Sequence, residues 1–156
     1  MTSSWLHRPV EQAEPTWLNE RRANAGKSFD ALGFPTTKLE PWRYTNIKPW
    51  VTKEHKPAPA SSMTADALNE LCLLEAPAAR LVFVNGQYAA EHSKGAAFAS
   101  AISASLDSQS QILNELLGHV EAPEDLAMSA LNLACFNDGA LIVLPENTVI
   151  EDPIEL

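Results

Sequence analysis

The sequence predicts an α+β fold in which a helical N-terminal domain with a small β-hairpin leads into the first strands of a β-helix. Three observations support this prediction: apolar residues at helical spacing near the N-terminus, an Asn-Gly pair between two short runs, and closely spaced short strands at the end. With 156 residues, 46% of them hydrophobic, the chain can bury one ordinary core. We expect an N-terminal α+β domain over residues 1–137 and the first strands of a truncated β-helix over residues 138–156.

The first helix is predicted to begin at Pro15 and Thr16, because proline is tolerated where amide hydrogens have no helical partner. Apolar residues then follow at near-helical spacing, with an arginine filling one gap. This stripe comprises Leu18, Arg22, Ala25, Phe29 and Leu32. Gly33 is expected to end the helix as a left-handed cap, and Pro35 prevents its continuation.

A dense aromatic segment, L-G-F-P-T-T-K-L-E-P-W-R-Y, covers residues 32–44. Thr37 and Glu40 fit a capping box. The residues that follow are predicted to form a short helix with Pro41 in its first turn, or an irregular, aromatic-rich segment. The triplet W-R-Y at residues 42–44 permits two interpretations. It is either a binding patch or a set of anchors that pack the segment onto the first helix.

The middle of the sequence predicts a linker, a short helix and a hairpin. Residues 53–62 are rich in Lys, Pro, Ala and Ser and are predicted to be a linker or a mobile loop. Thr64 is expected to cap a helix that runs to residue 74. The apolar run at residues 80–84 is followed by Asn-Gly, which predicts a hairpin because both turn positions need positive φ.

Helices and then short strands are predicted in the last third of the sequence. A helix is expected near residues 112–117, and a second begins at Pro123-Glu-Asp and ends at Asn-Asp-Gly. Short strands over residues 140–144, 148–150 and 154–156 favour a β-solenoid or a sheet edge. The last strand would have nothing to pair with, so we expect a fragment of a longer protein.

The charge of the chain is unevenly distributed. Residues 1–56 carry nine Lys or Arg against six Asp or Glu, whereas residues 57–156 carry two against fourteen, so that +3 and −12 sum to −9. This balance argues against a nucleic-acid-binding surface. A solvated acidic face explains the pattern, and an acidic surface that meets a basic partner is the alternative. With no signal peptide and no run of the ~18 apolar residues that span a bilayer, a cytoplasmic location is predicted.

The sequence shows no catalytic constellation, and we assign no catalytic, cofactor-binding or metal-binding residue and no cofactor. No glycine cluster forms a phosphate-binding loop, and no serine lies in G-x-S-x-G. The histidines lack ligand spacing; they are His7, His55, His92 and His119. Cys72 and Cys135 are predicted to be small buried hydrophobic residues, and the adjacent Glu124 and Asp125 to begin a helix.

Four blocks of the sequence resemble the N-terminal part of the SufD proteins of the SufB/SufD family. They are P-T-W-L-N-E-R-R-A, L-G-F-P-T-T-K-L-E-P-W-R-Y-T, R-L-V-F-V-N-G-Q-Y and A-L-N-L-A-C-F-N-D-G-A-L-I-V-L-P, followed by a final I-E-D-P-I-E-L. Pro41 and Cys135 depart from the family pattern. The W-R-Y-T block, placed directly after the first helix, resembles SufD more than SufB.

The resemblance implies a non-enzymatic scaffold subunit of the SUF machinery for iron–sulfur cluster assembly. Its partners would be SufB, bound through a right-handed parallel β-helix, and the ATPase SufC, bound through a C-terminal helical region. Both regions would lie beyond Leu156, so no functional residue is carried over to this sequence. Two alternatives stay open: the N-terminal domain of a β-helix acyltransferase, and a free-standing protein-interaction adaptor.

Overall fold

The computed structural model describes residues 5–6, 13–56, 58–59, 61–119 and 126–156. The chain divides into two compact units, one formed by Met1–Pro57 with Asn114–Phe136 and the other by Ala58–Leu113 with Asn137–Leu156. Both combine segments that are distant in sequence. The boundary expected after residue 137 and the linker at residues 53–62 stay predictions.

The described residues form helices and short strands that are grouped in runs along the chain, which fits the predicted α+β class. The helices are α1 (Thr16–Leu32), α2 (Lys48–Val51), α3 (Ala65–Leu71), α4 (Ile102–Ser105), α5 (Ser110–Leu116) and α6 (Ala127–Cys135). The strands are β1 (Ala79–Arg80), β2 (Phe83–Val84), β3 (Gln87–Tyr88), β4 (Ala99–Ala101), β5 (Ala140–Ile142) and β6 (Ile154–Glu155), and 3₁₀ turns cover Glu40–Trp42 and Ala90–His92. Strands β1 and β6 pair in parallel, while β2 with β3 and β4 with β5 are antiparallel.

Helix α1 packs against α6 in the first unit. Leu18, Ala25 and Phe29 are buried, and Gly33 has the predicted positive φ of 67°, with its N–H donating to the Phe29 carbonyl at 2.7 Å. Leu32 was expected on the buried stripe but is 46% exposed. The chain leaves the helix axis directly after it, and the ring that covers Phe29 is supplied by Phe34.

The capping box expected at Thr37 and Glu40 does not form. The 3₁₀ turn Glu40–Trp42 is preceded by Leu39, and no side chain caps it. Thr37 already belongs to an earlier turn, in which the Leu39 N–H donates to the Thr36 carbonyl at 3.0 Å. Pro41 does lie in the first turn, as predicted.

The second unit confirms the predicted cap and hairpin. Thr64 Oγ1 accepts a hydrogen bond from the Ala67 N–H at 3.3 Å, although α3 ends at Leu71 and not near residue 74. Strands β2 and β3 form the hairpin, with φ of 53° at Asn85 and 77° at Gly86. Both values are positive, as a two-residue turn of this kind requires.

The later helices follow the prediction in part. Helix α5 covers most of residues 112–117, and Gly118 follows with a φ of 78°. Helix α6 ends before the Asn-Asp-Gly sequence. The helix start predicted at Pro123, with Glu124 and Asp125, lies outside the described residues, as does His7.

The expectation that the last strand lacks a partner is wrong. Strand β6 lies parallel to β1, with Ala79 opposite Ile154 and Arg80 opposite Glu155. The Leu81 N–H donates to the Glu155 carbonyl at 3.0 Å, because β1 presents a free edge to a segment far along the chain. Residues 148–150 form no strand, and the β-helix stays a prediction.

Candidate protein-interaction site

An aromatic cluster in the first unit fixes both ends of the segment that follows α1. The Phe34 ring lies 4.9 Å from Phe29 and 5.1 Å from Trp5, both in edge-to-face geometry. At the far end, Trp50 in α2 lies 4.6 Å from Trp5 and 6.3 Å from Phe34. Such ring pairs contribute beyond the area that they bury, so residues 34 and 50 act as anchors.

His55 adds a fifth ring to this cluster. It is exposed, as predicted, but its ring centroid also lies 4.7 Å from Trp5 and 5.1 Å from Trp50. Its Nε2 is 2.9 Å from the Trp50 carbonyl oxygen, which accepts when that nitrogen carries a proton. His55 therefore extends the anchor at the end of α2.

Between the two anchors, a hydrogen-bonded turn carries Trp42, Arg43 and Tyr44. The Trp42 N–H donates to the Leu39 carbonyl at 2.9 Å, and the Thr45 N–H donates to the Trp42 carbonyl at 2.9 Å. Trp42 is half-buried, whereas Tyr44 is 90% exposed. The anchor interpretation therefore fails for Tyr44, and the binding-patch interpretation is favoured.

The Arg43 side chain is oriented by two neighbours without losing contact with water. Its guanidinium carbon lies 5.5 Å from the Tyr44 ring centroid, and Nη1 lies 3.7 Å from Glu40 Oε1. The Arg43 and Glu40 side chains are 59% and 84% exposed, so this ion pair adds little stability. The Arg43 guanidinium thus lies beside an exposed aromatic ring and keeps N–H donors available to another molecule.

The same segment carries an excess of positive charge. Residues 38–56 contain five Lys or Arg against two Glu, and all seven are exposed. Lys56 lies 3.7 Å from Glu54. Across the described part of the chain, no carboxylate lies within ion-pair distance of Lys38, Lys48 or Lys53. We call the exposed set the basic–aromatic surface; it consists of Arg43, Tyr44, Lys38, Lys48 and Lys53.

A groove in the second unit was not predicted from the sequence. Arg80 Nε donates to Glu155 Oε2 at 2.6 Å, and the Leu73 N–H donates to Glu155 Oε1 at 2.6 Å. The Leu73 amide and the Arg80 guanidinium hold the pKa of Glu155 below its ordinary value of 4.5. The groove has a volume of about 180 Å³, and Cys72 and Leu156 are among its lining residues. Its polar groups are paired with one another, which is typical of a structural role.

The two cysteines are free thiols, and both are partly buried where full burial was predicted. The Cys135 Sγ lies 3.5 Å from the Trp5 carbonyl oxygen. Across the described ranges, no three His, Cys, Asp or Glu side chains converge on a possible metal position. No described helix is long and apolar enough to cross a bilayer.

The described residues thus form an α+β fold of two compact units, and Arg43 and Tyr44 are exposed on a turn of the first unit. The chain belongs to the SufBD family, because the family model described as "SufBD protein N-terminal region" matches residues 6–156. This confirms the resemblance to the SufB/SufD family.

One relative is a protein of Synechocystis sp. that is described as an iron–sulfur cluster assembly SufBD family protein. It is 28% identical to this chain, and the alignment covers 94% of this chain and 33% of the relative. The chain thus spans about one third of the length of the relative that it matches. No solved structure matches the chain.

Proposed function

We propose that this chain is the N-terminal part of a non-enzymatic, SufD-like scaffold subunit for iron–sulfur cluster assembly. The observation that carries this proposal is the family match over residues 6–156. The relative from Synechocystis, whose printed description names iron–sulfur cluster assembly, supports the same role.

The difference between the paired, buried arginines and the exposed Arg43 supports a scaffold. Arg22 is paired with Glu14 at 3.0 Å, and Arg80 is paired with Glu155 at 2.6 Å. These partly or fully buried groups stabilise the two units internally. The exposed Arg43, held beside Tyr44, is instead available for contact with another molecule.

The proposed scaffold acts in a cytoplasmic complex with SufB and SufC. Strand β6 supports a β-helix that continues beyond it, because the parallel pairing of β1 with β6 is the type of pairing that a parallel β-helix uses. The W-R-Y-T block, which lies in the segment between α1 and α2, favours SufD over SufB. The acyltransferase alternative is not favoured, since the family model accounts for nearly the whole chain.

Co-purification of the full-length protein with SufB and SufC tests the proposal. The three proteins are co-expressed, one carries an affinity tag, and the eluate is analysed by size-exclusion chromatography. We expect a single peak that contains all three subunits. A folded full-length protein that elutes separately from SufB and SufC would refute the proposed function.

A further inference from the structure

We propose that the basic–aromatic surface is a docking site for an acidic protein segment that also carries apolar side chains. The proposal rests on the scaffold function, because it names the kind of partner that this part of the scaffold holds. Nothing in the family description or in that of the relative assigns a contact to this turn.

The basic–aromatic surface is exposed and held in place. Rings at residues 34 and 50 anchor its segment, and the backbone hydrogen bonds of the turn fix Arg43 and Tyr44 between them. A tyrosine that is 90% exposed contributes little to the core of its own domain. A pre-organised aromatic ring beside an arginine loses little entropy on binding, and both residue types are enriched among the residues that dominate binding energy.

The segment that carries this surface also has an excess of positive charge. Residues 38–56 have a net charge of +3, from five cations and two carboxylates, in a chain whose total charge is −9. The ammonium groups of Lys38, Lys48 and Lys53, which pair with no carboxylate among the described residues, favour carboxylates in the partner. The Arg43 guanidinium can donate two hydrogen bonds to a carboxylate in bidentate geometry while the Tyr44 ring packs against an apolar side chain.

A protein partner fits this surface better than a nucleic acid or a membrane. The acidic remainder of the chain repels the phosphates of both, because residues 57–156 carry fourteen carboxylates against two cations. An acidic segment of a partner makes local contacts and needs no extended basic face.

The test measures binding of a short fluorescein-labelled peptide composed of glutamate and leucine by fluorescence anisotropy, using the whole chain. Arg43→Glu and Tyr44→Ala are the test variants, and Lys27→Glu on the exposed face of α1 repeats the charge change elsewhere. We expect Arg43→Glu and Tyr44→Ala each to weaken binding at least about fivefold. Lys27→Glu is expected to change it less than about twofold, because its charge lies outside the surface.

Two further measurements separate this site from a general attraction between charges. Arg43→Lys keeps the charge but loses the planar stack, so we expect it to weaken binding while retaining the melting temperature of the wild type. A single-stranded DNA oligomer and phosphatidylserine vesicles replace the peptide as competing probes. Equal losses in Arg43→Glu and Lys27→Glu, or tighter binding of the DNA or the vesicles, would overturn the proposal.

The docking proposal would also be overturned if the basic–aromatic surface binds the acidic residues 57–156 of a second copy of this chain. Sedimentation of the wild-type chain at low salt detects such self-association. The scaffold function is tested separately by the complex with SufB and SufC. If that complex forms but Arg43→Glu and Tyr44→Ala leave peptide binding unchanged, the docking proposal fails and the scaffold proposal stands. If the complex does not form, the scaffold proposal fails whatever the peptide does.

Discussion

Arg22 is a charged residue that α1 buries, with only 9% of its surface exposed. Its Nε and Nη2 donate to the two carboxylate oxygens of Glu14 at 3.0 and 3.1 Å, and Nη1 donates to the Phe136 carbonyl at 2.9 Å. Its guanidinium carbon also lies 3.9 Å from the centroid of the Phe136 ring. One side chain therefore joins the start of α1 to the end of α6, where a cation suits the helix dipole.

Arg21, the preceding residue, binds a different helix end. It donates to the Asn114 carbonyl at 2.9 Å, to Asn114 Oδ1 at 3.0 Å and to the Leu117 carbonyl. Because successive side chains of a helix point about 100° apart, the Arg-Arg pair can reach the ends of two helices. These contacts explain why two arginines lie next to each other in the E-R-R-A block.

The Arg22 network predicts the effect of three variants on stability. Arg22→Ala should lower the free energy of unfolding by about 3–5 kcal/mol, because it removes the bidentate ion pair with the buried Glu14 carboxylate and the hydrogen bond to the Phe136 carbonyl. Arg22→Lys should recover only part of this loss, since an ammonium group cannot pair in bidentate fashion or stack on Phe136. Urea unfolding followed by circular dichroism measures all variants.

The double variant R22M/E14L provides the control for the Arg22 prediction. It removes both charges, so it should be more stable than Arg22→Ala. A free energy of unfolding for Arg22→Ala within about 0.5 kcal/mol of the wild type would contradict the role of Arg22 described above.

Glu155 predicts a pH dependence of the second unit. Since the Leu73 amide and Arg80 hold its folded-state pKa below 4.5, its contribution is fully present above that ordinary value. It is lost as the pH falls below 4.5 and through the folded-state pKa. We expect the difference in unfolding free energy between the wild type and Glu155→Gln to shrink over this range. A difference that stays constant throughout acidification would contradict the prediction.

At the scale of elements, Asp138 of the second unit binds the start of α4. Its Oδ1 accepts from the Ser103 N–H at 3.0 Å and from the Gly139 N–H at 2.8 Å, and its Oδ2 accepts from the Ser103 hydroxyl. The carboxylate thus satisfies an amide in the first turn of α4 that has no helical acceptor. The Asn-Asp-Gly sequence both ends one helix and caps another.

Asp138→Ala is therefore expected to lower the free energy of unfolding by about 1–3 kcal/mol, because it leaves partly buried donors unpaired. Asp107→Ala, which changes an exposed aspartate, should stay within about 0.5 kcal/mol of the wild type. Thermal unfolding of both variants at neutral pH makes the comparison. Equal losses in the two variants would show that the Asp138 contacts add no stability.

The elements that were predicted correctly are those that local residues determine. Pro15 and Gly33 delimit α1, Thr64 caps α3, and the Asn-Gly pair makes the hairpin turn, each within a few residues. The pairing of β1 with β6 was missed because it joins segments more than seventy residues apart. The 3₁₀ turn at residues 40–42 lacks the predicted capping box, because it begins after Leu39 and no side chain caps it.

The candidate site was only half predictable from the sequence. The W-R-Y triplet was recognised, but residue types cannot distinguish a packed tyrosine from an exposed one, because aromatic rings suit both environments. Its anchoring depends on Trp5 and Trp50, which approach each other only in the folded unit. A signal for Arg22 was present, because a cation on an apolar stripe needs a buried partner.

At the scale of the whole molecule, both units combine distant parts of the chain. Helix α1 packs against α6, and β1 pairs with β6, so each unit needs the last third of the sequence. The charged residues, by contrast, are separated along the sequence, and most Lys and Arg lie before residue 57. Within the first unit the basic, aromatic turn is exposed, whereas most of the carboxylates lie after residue 56 of the sequence.

The central claim, that this protein serves iron–sulfur cluster assembly as a scaffold, is tested most directly in cells that lack its gene. The measurement is the activity of iron–sulfur enzymes in extracts, compared with that of enzymes that contain no cluster. We predict that the iron–sulfur enzymes lose activity selectively and that the full-length gene restores it. Unchanged iron–sulfur enzyme activity in the deletion strain would contradict the account and favour an adaptor without a role in assembly.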